Sequence, residues 1–213
     1  MANITVAEQF NILAINFNVI MQIEQARDFI LNKLNKELPE HFYYHNGAHA
    51  IDVYTASKLI AESEGISGHE ISLLLTAALY HDSGFLLGGQ TDHELRSCEI
   101  ARLNLPRFGY LPEDIEQICD IIMATKMPQS PHNHLGEIIC DADLDYLGRN
   151  DFFVLSKKLF SELVITNGLK TEQEWNERQV AFLRDHHYFT KTAIALRGPA
   201  KQQHLEEIIE KTF

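Results

Sequence analysis

Residues 67–84 read SGHEISLLLTAALYHDSG. Ser67 is a helix-capping residue type, and Ile71, Leu74, Leu75, Ala78 and Leu79 follow at the three- and four-residue intervals that line one face of an α-helix. The apolar run ends on Tyr80-His81-Asp82. A carboxylate is misplaced there, because the free carbonyls at a helix C-terminus favour cations. Burying its charge beside an apolar helix is costly unless it is paired. A bound metal cation removes both objections. This one stretch predicts a helix, its end, and a chemical group at that end.

The same period extends in both directions. N-terminally, a helix from about Val19 carries Ile23, Ala26, Phe29, Ile30 and Leu34 and ends before Pro39. A loop through Tyr43 to Gly47 precedes a helix from about Ala48 to Glu64, which stops at Gly65. C-terminally, Gly84, Gly88 and Gly89 break the chain before Thr91 opens a helix on TDHE, a capping-box pattern. Further helices are expected over 112–124, 135–147, 151–165, 171–188 and 199–211. Residues 1–18 are apolar without a clear period, and strand alternation is not sustained anywhere. The expected fold is all-α, a compact bundle of about eight or nine helices. No linker, repeat or low-complexity tract divides the chain, so 1–213 reads as a single domain. Its core spans about 20–151, with a helical C-terminal extension over about 152–213.

The 213 residues carry 18 basic and 30 acidic side chains, a formal charge of −12, with 45% hydrophobic residues. These proportions exclude wholesale disorder. No apolar run approaches the roughly 20 residues that span a bilayer. The N-terminal MANITVAEQF lacks the charged and apolar regions of a secretory leader, so a cytoplasmic protein is expected. Duplex nucleic acid is an unsuitable partner for so acidic a chain, because backbone binding needs clustered Lys and Arg. Cys98, Cys119 and Cys140 form no CxxC pair and read as buried thiols. Eleven histidines, several beside carboxylates, are the unusual count.

Two further segments carry chemistry. In YHNGAHAIDV, residues 44–53, His45 and His49 stand four apart and Asp52 follows three later. That spacing suits a ligand, a proton donor and an anchoring carboxylate. In IICDADLDYLG, residues 138–148, Asp141 and Asp145 share one side of a helix and Asp143 points roughly opposite. One of the three is expected to face inward.

A histidine, a His-Asp doublet about thirty residues on and a later aspartate on separate helices resemble the HD superfamily of metal-dependent phosphohydrolases. The YHNGAH segment is also similar to the first motif of the cyclic-nucleotide phosphodiesterase branch. The resemblance covers roughly residues 28–151. It implies His49, His81, Asp82 and Asp143 as metal ligands and His45 as general acid. The implied cofactor is a divalent cation drawn from Mn, Fe, Mg, Ni and Zn, with one ion expected and a second left open. His93 lies where binuclear members place an extra histidine, and His132 and His134 could also approach. Asp52 would orient a ligand histidine, and Lys126 is a candidate phosphate-binding charge. Two nitrogen and two carboxylate donors leave positions for water and substrate.

The expected activity is hydrolysis of a small phosphate ester, a nucleotide or cyclic nucleotide, by a metal-activated water. Two rivals are a di-iron oxygenase on the same scaffold and a non-catalytic metal-binding regulatory module. The expected partner is the small phosphorylated substrate, with neither duplex nucleic acid nor membrane, and a homodimer is left open. Arg184, His186, His187, Lys191, Arg197 and Lys201 form a basic cluster that reads either as a phosphate cover or as a solvated face. Trp175 and Phe182, seven apart, read as core positions.

Overall fold

Residues 23–212 are described by the computed structural model. The apolar segment 1–18 and the expected helix start near Val19 lie outside the described residues. Among the described residues the chain is all-α. Helix α1 runs over 23–37, α2 over Gly47–Ser63, α3 over Gly68–Tyr80, α4 over His93–Asn104 and α5 over Pro112–Ala124. Then follow α6 (His134–Asp143), α7 (Phe152–Thr166), α8 (Glu172–Asp185) and α9 (Lys191–Thr212). Short 3₁₀ turns at Ser83–Leu87, Leu105–Phe108 and Asp145–Gly148 join them. No helix among the described residues is long and apolar enough to cross a membrane.

Helix α3 is buried from Ser72 to Tyr80, as its uninterrupted apolar run requires, and packs between α2, α5 and α6. With Ile30, Val53, Ile60, Ile118, Ile122 and Ile139 it builds the main core. A second cluster, built on Leu147, Phe152, Val180, Leu183, Leu205 and Ile208, joins α7, α8 and α9 to the 145–148 turn. Tyr44 belongs to this second cluster, so the start of α2 sits against the C-terminal helices. Two glycines permit close approach of main chain. A Cβ on Gly84 would overlap the His93 carbonyl, and one on Gly148 would overlap that of Arg197.

Several boundaries differ from the sequence expectation, each for a local reason. The helix expected over 135–147 splits after Asp143, where Asp145–Gly148 tightens into a 3₁₀ turn packed against α9. The last helix starts at Lys191, not at Pro199, which lies inside it. Thr190 starts it: its hydroxyl accepts the Ala193 N–H at 3.1 Å. The helix expected over 171–188 ends at Asp185. The capping box at Thr91 does not form; Asp92, at φ 55°, precedes α4 without a side-chain cap, and Glu94 turns inward. Ser67 occupies the N-cap of α3 without a side-chain bond. Asn46 does cap α2, accepting the Ala48 N–H at 2.9 Å.

Candidate metal centre

Three short segments bring the chemistry together. Asn46 fixes the first: its amide also donates to the carbonyls of Phe42 and Tyr43 at 3.0 Å, so the loop enters α2 with His49 one turn in. The second is the turn after α3. There Ser83 Oγ donates to Tyr80 O at 2.7 Å, while Ser97 Oγ donates to His81 O at 2.5 Å and accepts from Gly84 N at 2.8 Å. The third is the C-terminal end of α6 at Asp143.

At their junction His49 Nε2 lies 3.3 Å from His81 Nε2. Asp143 Oδ1 is 3.1 Å from the first and 3.4 Å from the second. Asp82 Oδ2 is 3.2 Å from His81 Nε2 and 3.5 Å from His49 Nε2. Donors held about 2.0–2.2 Å from one ion stand about 3 to 3.6 Å from their neighbours, the range of all five separations. The ligand atoms of His49, His81 and Asp143 all lie within 4.8 Å of one another, and Asp82, which approaches the two histidines, falls outside that group. Asp82 Oδ2 is buried and makes no hydrogen bond. His81 Nδ1 faces the Ala78 carbonyl at 2.8 Å, which fixes that nitrogen as the donor and points the Nε2 lone pair into the cluster.

Electrostatics agree. Burial works against a charged His81, but Asp82 and Asp143 outweigh it and raise its pKa well above the ordinary value. Burial likewise opposes ionisation of Asp82 and Asp143, yet the facing imidazoles hold both carboxyls below their usual range. The same negative field would favour a divalent cation in place of the proton.

The other expected residues divide. His45 stands beside the cluster, its ring 5.9 Å from that of His49. Its Nδ1 makes a short bond to Glu162 Oε1, while Glu162 Oε2 accepts the N–H groups of Tyr44 and His45 at 2.8 and 3.1 Å. Burial lowers the His45 pKa, but that bond and the carboxylates of Asp82, Glu162 and Asp143 raise it to a net value above normal. Glu162 is only 2% exposed and 117 residues away in the chain, and no sequence motif marked it. His93 Nε2 reaches the other Asp82 oxygen, Oδ1, at 3.2 Å, and its Nδ1 faces Gln90 O at 2.8 Å. The Phe85 ring lies between those of His45 and His93, at 4.7 and 4.4 Å. Glu94, 5% exposed and 3.5 Å from His93 Nε2, is a second buried carboxylate that sequence reading missed.

Three expectations are corrected, and the basic cluster, left open by the sequence, divides. Asp52 meets Arg149 at 3.5 Å instead of a ligand histidine, on a half-exposed face of α2. Lys126 turns outward to Asp92 at 2.7 Å, where both are solvated. His134 is exposed and bonds to Glu137 at 2.8 Å, and His132 is exposed as well. The basic cluster does not act as a unit: Arg197 forks onto Asp145 at 2.6 and 3.2 Å, and Lys201 binds His186. Within the acidic run, Asp143 alone faces the cluster. Asp141 holds the turn before α9, accepting from Phe189 N, Thr190 N and the Thr190 hydroxyl at 2.7–2.8 Å. All three cysteines are buried and free.

A cavity of about 320 Å³ opens from the cluster towards α7 and α8. His45, Asp82, His93, Glu94 and Asp143 line one end. Leu163, Trp175 and Phe182 line the part against α7 and α8; Phe182 also packs against the second core cluster, as expected, whereas half-buried Trp175 faces the cavity.

The family model of the HD domain matches residues 46–145. No curated protein matches the chain. Among solved structures, Bacillus subtilis YpgQ in complex with ADP is similar in fold, with a TM-score of 0.65 and 21% identity over 91% of this chain and 94% of that one. So is a predicted HD superfamily hydrolase from an uncultured Thermotogales bacterium, with a TM-score of 0.57 and 19% identity over 86% and 89% of the two chains.

Proposed function

From the premise that this chain belongs to the HD superfamily, we propose that it hydrolyses a small phosphate ester, a nucleotide or cyclic nucleotide, using one divalent cation held by His49, His81, Asp82 and Asp143. The observation that carries this reading is the convergence of two imidazole Nε2 atoms and two carboxylate oxygens, one of them buried with no hydrogen bond. Without a cation those groups can only share protons. A bound divalent cation supplies an activated water and polarises a phosphoryl oxygen. The ADP held by the YpgQ neighbour supports the nucleotide class.

The chain's own residues do the rest. With Nδ1 engaged by Glu162, the imidazolium of His45 keeps Nε2–H for the oxygen that leaves phosphorus. Glu162 fixes this ring through three contacts, two of them to main chain, so the acid is held in place before substrate arrives. His93, with oxygens facing both ring nitrogens, is satisfied as the cation. In that state it holds Asp82 Oδ1 and leaves Oδ2 to the cluster. Phe85 packs against the ring of this proton donor.

Metal content of purified variants, measured by plasma mass spectrometry beside turnover of aryl phosphates and nucleotides, tests the assignment. Asp82→Ala and Asp143→Ala are expected to lose both metal and turnover. Asp145→Ala, which breaks only the Arg197 pair, is expected to retain metal. Full metal in Asp143→Ala would sink the ligand set, and two irons per chain with O₂ consumption would replace hydrolysis by oxygenation.

A further inference from the structure

Helix α7 is apolar on every side. Nine of its fifteen residues are Phe, Leu, Val or Ile, whereas an ordinary surface helix confines such residues to one stripe. Its inner face accounts for Phe152, Leu159 and Leu163, which line the cavity, and for Glu162, which holds His45. The outer face is the anomaly: Phe153, Val154, Val164 and Ile165 are 39%, 61%, 41% and 55% exposed. Tyr43, 45% exposed, borders this face and shares a shallow groove with Phe153 and Val154. Between the two apolar pairs, the Ser161 hydroxyl turns back on its own helix and donates to Lys157 O at 3.0 Å. Together the five apolar side chains expose on the order of 500 Å², within the ~300–600 Å² of patches that are often functional.

The spacing along the helix names the occupant. Eleven residues turn an α-helix to within about 20° of three full turns and advance it about 16 Å. Phe153 and Val164 are eleven apart, as are Val154 and Ile165, so each pair lies on one strip, spread to either side of Leu159. A two-fold axis at that level, perpendicular to two antiparallel copies of α7, sets Phe153 on Val164 of the second copy and Val154 on its Ile165. The same operation sets Lys157 against Ser161 of the second copy. Such self-complementarity is what an isologous interface requires and what a lipid surface or an unrelated protein does not. Charge agrees. Lys157 and Lys158 are exposed, Lys211 lies 4.4 Å from the Phe153 ring, and the one acid of α7, Glu162, is buried. In a chain of net charge −12, this positive face meets the negative field of a second copy.

We infer that the outer face of α7 is the two-fold interface of a homodimer, with the two helices antiparallel and crossing at Leu159. The inference is independent of the hydrolase reading, because the cavity and the His/Asp cluster lie on the other side of α7. Two such faces bury on the order of 1,000 Å², the low end for specific interfaces, so a reversible dimer with Kd on the order of micromolar is expected.

Sedimentation equilibrium of the full chain, at concentrations bracketing that Kd, is the first test. Val154→Glu and Ile165→Glu, both at exposed positions, are each expected to raise Kd by about ten-fold or more. Leu103→Glu, at a position 76% exposed on α4, is expected to leave Kd unchanged. A short bis-maleimide then tests the register without a destabilising charge, the native thiols being buried. A mixture of Val154→Cys and Ile165→Cys chains is expected to cross-link. Val154→Cys alone, whose two copies stand about 16 Å apart along the helices, is expected not to. A monomer at every concentration would overturn the inference, as would a dimer untouched by both glutamates or a Val154→Cys chain that links to itself as readily as to Ile165→Cys. Phe153 shielded from hydroxyl-radical footprinting in a monomer would give the face to another segment of this chain. Binding of the monomer to phosphatidylserine vesicles would give it to a membrane, and either result removes the dimer.

Discussion

The two ends of one cavity are built on opposite principles. At the cluster end, polar groups face one another without satisfying one another: Asp82 Oδ2 is buried and unbonded, and two imidazole nitrogens point together at 3.3 Å. At the α7–α8 end Gln179 bonds to Ser156 and Asn176, Trp175 to Ser156 and Arg178 to Glu174, and Leu159, Leu163, Phe182 and Leu183 make the lining largely apolar. Unsatisfied buried polar atoms are expensive, so they persist where a ligand completes them. A satisfied, apolar surface contributes shape and area instead. The first end is therefore expected to govern chemistry and the second to govern affinity.

That division can be broken experimentally. The largest effect is expected for Asp82→Ala, with metal lost and turnover reduced by on the order of 10³-fold or more. A variant that keeps metal and rate would make the unsatisfied cluster an ordinary ion-pair network. Next, His45→Ala is expected to retain metal, measured directly, while kcat falls about 10²–10⁴-fold. Equal losses of metal and rate would move His45 from acid to ligand.

Glu162→Gln tests the cluster end further, because Glu162 holds both the His45 ring and the Tyr44–His45 main chain. A drop of about ten-fold in kcat with unchanged KM is expected. The pH profile gives the sign. Glu162 and the other nearby carboxylates hold the His45 pKa above normal against the opposing effect of burial, so the acid form persists to higher pH. Its charge-dependent contribution is complete below the ordinary histidine pKa and lost as pH rises through the raised one. Neutralising Glu162 lowers that upper pKa and shifts the basic limb of kcat to lower pH. A basic limb that does not move would reduce Glu162 to a clasp for the Tyr44–His45 backbone.

At the other end, Phe182→Ala is expected to raise KM about ten-fold and leave kcat within two-fold, the reverse of Glu162→Gln. A kcat loss there would mean that the wall also positions the reacting phosphate. The smallest effect is expected for Lys126→Ala, within two-fold in both constants, since that side chain is committed to Asp92 in solvent. A large loss would show that Lys126 swings in when substrate binds.

The legible parts of this molecule are those encoded over short distances. Helix period, the helix end at Tyr80 and the pairing of His81 with Asp82 each depend on neighbours within a few residues. Among Asp141, Asp143 and Asp145 the helical phase separated one carboxylate from the other two, and the fold assigns that one to the cluster. Asp52 and Lys126 show the limit. Their spacing suited a role in the site, but Arg149 and Asp92, brought close by folding, take them elsewhere. Thr91 and Glu94 match a capping box, yet Glu94 turns inward, where its carboxylate lies 3.5 Å from His93 Nε2.

The helical architecture and the spacing of the His and Asp motifs are legible in the sequence, because amphipathic period and motif spacing are properties of contiguous chain. Which groups surround those motifs depends on the tertiary fold. Glu162 reaches His45 across 117 residues, and Ser156, Trp175 and Gln179 meet on two different helices. No local pattern encodes such contacts. They arise when α7, α8 and α9 bury their common core against the 145–148 turn and set one wall of the cavity opposite the cluster.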